Sequence, residues 1–312
     1  MLNRRRFISQ TAFTAGAMLT GSSLVKEILE EEKAYRLTIL HTNDVHSRID
    51  PFPMDGGRNQ GLGGVAAREE LIRKIRNEQE HVLLLDAGDI FQGTPYFNLY
   101  KGEPEIKAMT SMNYEATTIG NHDFDAGLEN LANQLTKHAN FPMLVCNYDF
   151  MNTPMESKYE PYRIFRKGKL KIGVLGIGIE MKGLIADNLI AGTQYLDPVQ
   201  AANEVAYKLK KDKDCDLVIC LSHLGYQYRD NKVSDIRLAE QSENIDLIIG
   251  GHTHTFLDAP VIRKNKKGQD VIINQVGFAG IILGRLDMEF SRTSRKKLAN
   301  ATAITVTKKT GE

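Results

Sequence analysis

Five times along this chain an apolar run of strand length ends, and Asp, Asn or His follows within a few residues. "HTNDVH" follows "LTIL", "AGD" follows "LLLD", "GNHD" follows "ATTI", "SH" follows "VICL" and "GHTH" follows "LIIG". Several runs carry Val, Ile and Leu at consecutive positions, the pattern of strands covered on both faces. In α/β folds the loops beyond the carboxyl ends of such strands line the ligand crevice. Five ends on one edge would bring these polar side chains together; histidines scattered through a core would not keep that rule.

Strands are expected at 36–40, 81–86, 115–119, 141–146, 170–177, 216–221, 246–250, 270–276 and 281–290. Helical spacing marks 62–79, 125–138 and 198–212, with Pro198 suited to a first-turn position. Strands alternating with helices argue for an α/β fold of stacked sheet and helix layers. No internal repeat, low-complexity tract or Pro/Ser-rich linker interrupts the chain after residue 35, so residues 35–312 are expected to form one domain. With 40 basic against 39 acidic residues, the chain has no global field to hold a nucleic acid duplex by its phosphates. Cys146, Cys215 and Cys220 are too few for a disulfide framework and read as small buried hydrophobes.

Residues 1–34 are different. "NRRRFIS" at 3–9 precedes an uncharged stretch through Val25 rich in Ala, Gly, Ser and Thr, the layout of an export signal. Consecutive arginines before Phe7 and Ile8 resemble a twin-arginine signal, with Asn3 and Ser9 departing from its usual flanks. The stretch is short and polar against the ~20 apolar residues that a membrane span needs. The expectation is a protein exported folded to the periplasm, touching the membrane only where the signal stays uncleaved.

The polar set at the five ends is Asp44, His46, Asp89, Asn121, His122, His223, His252 and His254. Carboxylates, imidazoles and an amide oxygen make donors of intermediate hardness, suited to Zn, Mn, Fe, Co or Ni more than to Ca or Mg. They are too many for one tetrahedral ion and about enough for two divalent ions. A carboxylate between two ions ~3.5–4 Å apart makes the clamp used on phosphoryl groups. Taken singly, each residue has an ordinary explanation: Asp44 or Asp89 as a helix cap, Asn121 in a turn, His223 as a hydrogen-bonded core histidine. Taken together they do not. His41, His81 and His138 lie outside every motif.

D-x-H at Asp44–His46, G-D-x-x-x-G at Gly88–Gly93, G-N-H-D at Gly120–Asp123, the lone His223 and G-H-T-H at Gly251–His254 resemble the calcineurin-like metallophosphoesterases. Within them, "LTILHTNDVHSRIDPF", "GNHDFD", "GHTHTFL" and "NQVGFAGIILGRLD" are similar to the 5′-nucleotidase/UDP-sugar hydrolase branch well beyond the ligands. The resemblance implies a four-layer α-β-β-α sandwich of two packed mixed sheets flanked by helices. It also implies that Asp44, His46 and His254 hold one metal, that Asn121, His223 and His252 hold the other, and that Asp89 bridges them. The crowded "IGNHDFD" at 119–125 then combines a neutral metal ligand, Asn121, with a general acid, His122, for the departing oxygen. Asp125 matches the branch's orienting carboxylate, which fixes His122 and raises its pKa. Asp123 reads as structural.

The resemblance implies hydrolysis of phosphomonoesters, 5′-nucleotides or related nucleotides foremost, by a water made acidic between two cations. Cyclic nucleotides, UDP-sugars or a sulfur ester on the same site are alternatives. A non-enzymatic metal-binding or partner-docking protein is another; loss of a ligand or of His122 would favour it, and all are intact. Members of the branch carry a further C-terminal domain that stacks the nucleobase between aromatics and supplies arginines to the phosphate. The residues after Phe290 contain no aromatic. The expectation is therefore an open site, with selectivity supplied by a separately encoded domain of that type.

Overall fold

In the computed structural model, which describes residues 35–291 and 295–307, the apolar runs assemble into two mixed sheets. The export reading of residues 1–34 lies outside the described residues. In chain order come β1 (Tyr35–Thr42), α1 (Val65–Glu78), β2 (Val82–Asp86), α2 (Pro95–Tyr100), α3 (Glu103–Ser111), β3 (Ala116–Thr117) and α4 (Gly127–His138). β4 (Tyr148–Asp149), β5 (Tyr162–Lys167), β6 (Leu170–Ile177), β7 (Gln194–Tyr195), α5 (Pro198–Tyr207) and β8 (Leu217–Ser222) follow. The last are α6 (Asp235–Gln241), β9 (Leu247–Gly250), β10 (Val261–Lys264), β11 (Asp270–Asn274), β12 (Ile282–Ser291) and β13 (Arg295–Thr305). One sheet runs β13-β12-β1-β2-β3 and the other β10-β11-β9-β8-β6-β5. Their centres are parallel, β1-β2-β3 in one and β6-β8-β9-β11 in the other.

Side chains alternate across a strand, and this alternation sorts the apolar residues into three layers. In β8, Leu217, Ile219 and Leu221 share the inter-sheet core with Leu37 and Ile39 of β1 and Leu83 and Leu85 of β2. Val218 and Cys220 point the other way and pack with Ala202 and Ala206 of α5 and Leu238 of α6. Beyond the first sheet, Leu40 and Leu84 join Ile72 and Ile75 of α1, Ile106 of α3 and Leu131 of α4. The central strands are thus apolar on both faces, as consecutive Val, Ile and Leu require. The result is the four-layer α-β-β-α sandwich. Among the described residues no helix is long and apolar enough to cross a membrane.

The departures from the sequence expectation have local causes. Residues 141–146 do not form a ladder, because their backbone partners are divided. Leu144 N–H goes to Thr117 O and Cys146 N–H to Gly176 O, so this segment ties the edge of one sheet to the interior of the other. The expected strand at 115–119 shortens to Ala116–Thr117. The helix at 198–212 is α-helical only to Tyr207 and closes with a wider π turn over Lys208–Asp212. β5, β10 and β13 have no apolar run to reveal them. They are edge strands, and charges such as those in "YRIFRK" and "VIRK" are how sheet edges are kept from pairing further.

A buried polar contact crosses the inter-sheet core. His41 of β1 is fully buried, and Asn274 Nδ2 at the end of β11 stands 2.9 Å from its Nε2, a donor facing an acceptor while the ring is neutral. Gly284, opposite His41 in β12, leaves the room: a Cβ there would strike the imidazole. Burial pushes the His41 pKa down to about 3. The unfolded chain takes up this proton near pH ~6.5, so the contribution of neutral His41 to stability is full above that value and lost as pH falls towards about 3. His41→Gln, which cannot titrate, is expected to remove about 2 kcal/mol of the stability lost between about pH 6.5 and 5. Urea denaturation of both proteins across that range checks it; parallel pH profiles would refute the assignment.

Candidate metal centre

β1, β2 and β3 of one sheet and β8 and β9 of the other end on a common edge, and the loops that follow are laced together by backbone hydrogen bonds. Asp44 N–H donates to Gly88 O (2.9 Å), His46 N–H to Asp89 O (3.0 Å) and Ser47 N–H to Ile90 O (2.9 Å). Asp123 supplies the next tie. Its carboxylate accepts the backbone N–H groups of Asp89 (3.1 Å), Ile90 (2.9 Å), Phe91 (3.1 Å) and Gly120 (2.8 Å). Close approach requires glycine at two points. Gly88 has φ +86° and a Cβ on it would lie 2.7 Å from Gly120 N, while a Cβ on Gly120 would run into the Asp89 carboxylate.

These ties bring six of the seven expected ligands together in two clusters, Asp44 with His46 and His254, and Asp89 with His223 and His252. In the first, His254 Nε2 lies 3.3 Å and His46 Nε2 4.0 Å from Asp44 Oδ1, and the two ring nitrogens face one another at 2.9 Å. In the second, His223 Nε2 lies 3.1 Å from Asp89 Oδ2. Asn121 joins that cluster through its Oδ1, 2.8 Å from His252 Nδ1. The clusters adjoin. Asp89 Oδ2 is also 3.8 Å from His46 Nε2 in the other set, and Asp44 Oδ1 is 3.9 Å from His223 Nε2.

The donors fit divalent cations on their own chemistry. His223 Nδ1 stands 2.7 Å from Ala87 O, which favours a donated N–H there and turns Nε2 into the cluster. That Nε2 is buried and faces the Asp89 carboxylate, with Oδ2 3.1 Å away. Burial would push His223 down, but the Asp89 and Asp44 carboxylates raise it to about 10. Burial would likewise raise Asp89, yet the His223 imidazole outweighs this and holds its carboxyl below the usual range. His252 is pushed down to about 4 by burial and by His223. His46 is also lowered by burial, against the pull of Asp89 and Asp44. Metal binding needs ionised carboxylates and neutral imidazoles, and a cation would displace the shared proton of the Asp89–His223 pair.

His122 belongs to neither cluster. Its backbone N–H donates to Asp89 Oδ1 (2.8 Å) and its Nδ1 lies 2.9 Å from Asp125 Oδ2. The hydrogen bond to Asp125 raises its pKa above the ordinary histidine value, against a smaller loss from burial. The ring meets the His46 ring edge-on with centroids 5.3 Å apart, and its side chain is 38% exposed.

The structure also brings in residues that sequence reasoning did not single out. Asn43 donates to Asp44 Oδ2 (2.7 Å), Gln275 fastens the loop of His252 and His254, and buried Asp235 accepts from Ser222 Oγ. None lies in a ligand motif, so only burial reveals them. His41, His81 and His138 stay outside the clusters, with His81 stacked on Tyr35 (centroids 4.6 Å apart) and His138 ending α4.

Comparison with known proteins places this edge in a family. The calcineurin-like phosphoesterase family matches residues 37–256. The chain is 35% identical to the snake venom 5′-nucleotidase of Crotalus adamanteus, over 82% of this chain and 46% of that protein. It is 37% identical to the 5′-nucleotidase of Vibrio cholerae serotype O1, over 84% of this chain and 50% of that one. The crystal structure of a 5′-nucleotidase precursor from Thermus thermophilus superposes with a TM-score of 0.79 at 30% identity, covering 88% of this chain and 55% of that structure. The chain spans about half the length of these relatives. Calcineurin-like phosphoesterases use two divalent metals, in keeping with the two clusters found here. By the match over 37–256 and the fold that carries its motifs, the chain belongs to the calcineurin-like phosphoesterase family.

Proposed function

We propose that residues 35–312 form the catalytic domain of a two-metal phosphoesterase that hydrolyses phosphomonoesters, 5′-nucleotides or related nucleotides foremost. In this reading Asp44, His46 and His254 hold one ion, Asn121, His223 and His252 hold the other, and Asp89 serves both. The bound ions would supply an acidified water and charge neutralisation for the phosphoryl group. The observation that carries the reading is the place of His122. It is an imidazole outside both donor sets, edge-on to His46 and hydrogen-bonded through its backbone to Asp89.

From there the chain's own residues divide the work. Asp125 accepts from His122 Nδ1–H, fixes the ring and favours its protonated form, so that His122 can give a proton to the departing alkoxide. Asn121 contributes a neutral oxygen next to it and spares the centre another negative charge. The nucleotide part of the proposal is supported by the 5′-nucleotidase relatives. His122 and His254 are exposed enough for a separately encoded domain to dock over the site and select the nucleoside. The arginine-rich segment at 3–9 supports export to the periplasm by the twin-arginine route.

Asp89→Asn is expected to lower metal content at both sites together and to cut turnover by at least about 10²-fold, more than loss of any single histidine ligand. Metal analysis beside a phosphate-release assay checks this; two retained equivalents with near-normal turnover would remove Asp89 from its bridging place.

His122→Ala should keep both metals and lose ~10²–10⁴-fold in rate on substrates with alkoxide leaving groups. Nitrophenyl phosphate, whose leaving group needs little protonation, should suffer much less. Equal losses on both substrates would mean that His122 contacts phosphate or metal instead.

Changing Arg4, Arg5 and Arg6 to Lys keeps the charge and should retain active protein in the cytoplasm. Fractionation of cells expressing each form reads the outcome, and undiminished export would exclude the twin-arginine route.

A further inference from the structure

The segment "NQVGFAG" (274–280) supplies no ligand to either cluster, yet it fastens two of the loops that do. Gln275, fully buried just past β11, donates from Nε2 to Gly251 O. Its Oε1 accepts from Thr255 N–H (2.6 Å) and Thr253 Oγ1 (3.1 Å). One side chain therefore grips residues 251, 253 and 255, which alternate with His252 and His254. Those two histidines belong to different clusters. They also stand at φ +72° and +51°, a backbone that cannot hold itself by strand pairing.

The same segment reaches the other loop. Asn43 Oδ1 accepts Val276 N–H (3.0 Å), and its Nδ2 donates to Gly277 O (2.6 Å) and Asp44 Oδ2 (2.7 Å). Ala279 N–H donates to Asp44 O (2.7 Å), and the Phe278 ring stacks on His254 with centroids 5.1 Å apart. We propose that Gln275 is a positioning residue that sets the spacing between the two metal sites, by fixing the loop on which each places a histidine. This rests on the two-metal reading above. Removing the Gln275 amide frees His252 and His254 together, so both sites weaken and their mutual geometry relaxes.

The test uses Mn²⁺ on metal-stripped full-length protein, followed by calorimetry and electron paramagnetic resonance. The unaltered chain should take up two equivalents and show an exchange-coupled pair. Gln275→Met should bind Mn²⁺ roughly 10–100-fold more weakly at both sites, the usual effect of removing a ligand's hydrogen-bonded support, and should lose the coupled spectrum. Gln275→Glu keeps the shape and the bonds from Thr253 and Thr255 but not the donation to Gly251. A smaller loss of the same kind is expected, and this variant decides the matter where the Met variant does not fold. Asn265→Leu is the control for general destabilisation. Asn265 ties the β10–β11 turn by comparable bonds to Glu243 O (3.1 Å), Lys267 N (2.9 Å) and Gln269 N (3.0 Å), and its loss should leave Mn²⁺ binding unchanged. Unaltered affinity and coupling in the Gln275 variants, or an equal loss in Asn265→Leu, overturns the inference and leaves the metal centre standing. An unaltered chain that takes up no Mn²⁺ pair overturns both.

Discussion

Five of the seven proposed ligand positions, Asp44, His46, Asp89, His252 and His254, have backbone φ between 50° and 72°. A side chain in that region costs roughly 1–2 kcal/mol per residue, so these loops cannot keep their shape unaided. Hydrogen bonds between loops hold them instead. The β1 loop leans on the carbonyls of Gly88, Asp89 and Ile90, and the Asp123 carboxylate gathers four amides from the loops after β2 and β3. Asp86 adds a further knot, accepting from Thr42 and Thr117 at the ends of β1 and β3. The sandwich matters here because it delivers three strand ends from one sheet and two from the other to a single edge. Strain in the ligand loops is offset by rigidity in their supports.

That distinction explains what the sequence made legible. The candidate ligands announce themselves because Asp, Asn and His directly after apolar strands are chemically conspicuous, and "IGNHDFD" packs four such residues into one turn. Central strands were visible for the same reason in reverse, since burial on both faces leaves them almost without polar residues. The supports were not visible. Gln275 and Asn43 are ordinary amides until burial and their backbone partners are known. The edge strands β5, β10 and β13 were hidden by their own charges. Residues 141–146 were misread because an apolar run has the same composition whether it pairs along one strand or ties two sheets together. The left-handed backbone of the ligands has no composition signal beyond the neighbouring glycines.

Charge gives a second constraint. Asp44, Asp86, Asp89, Asp123 and Asp235 are all buried around one edge. Such a concentration is tolerable only where each group is differently compensated. Asp235 is pushed up to about 8 by burial, which leaves it protonated near neutrality and adds little repulsion to Asp44. Burial raises Asp86 to about 6, against hydrogen bonds from Thr42, Gly88 and Thr117. Asp123 is met by four amides. Asp44 and Asp89 turn a carboxylate towards the imidazoles of the two clusters, and these are the two carboxylates that fit divalent cations.

The same geometry limits how separable catalysis and metal binding can be. His122 opens a short 3₁₀ turn, and its own backbone N–H is held by the Asp89 carboxylate, on the side opposite the oxygen nearest His223. Asn121, one residue earlier, contacts His252. A shift of Asp89 therefore moves the proposed proton donor as well as the candidate metal cluster, and a shift of His252 is felt at the root of the same turn. Groups that share partners in this way do not contribute additively. The Asp125 side chain, by contrast, is hydrogen-bonded to the His122 ring, so its replacement disturbs the orientation and protonation of the proposed acid with the candidate ligands left in place. The position of His122 is thus set by the candidate metal loops, and its protonation by a carboxylate outside both clusters.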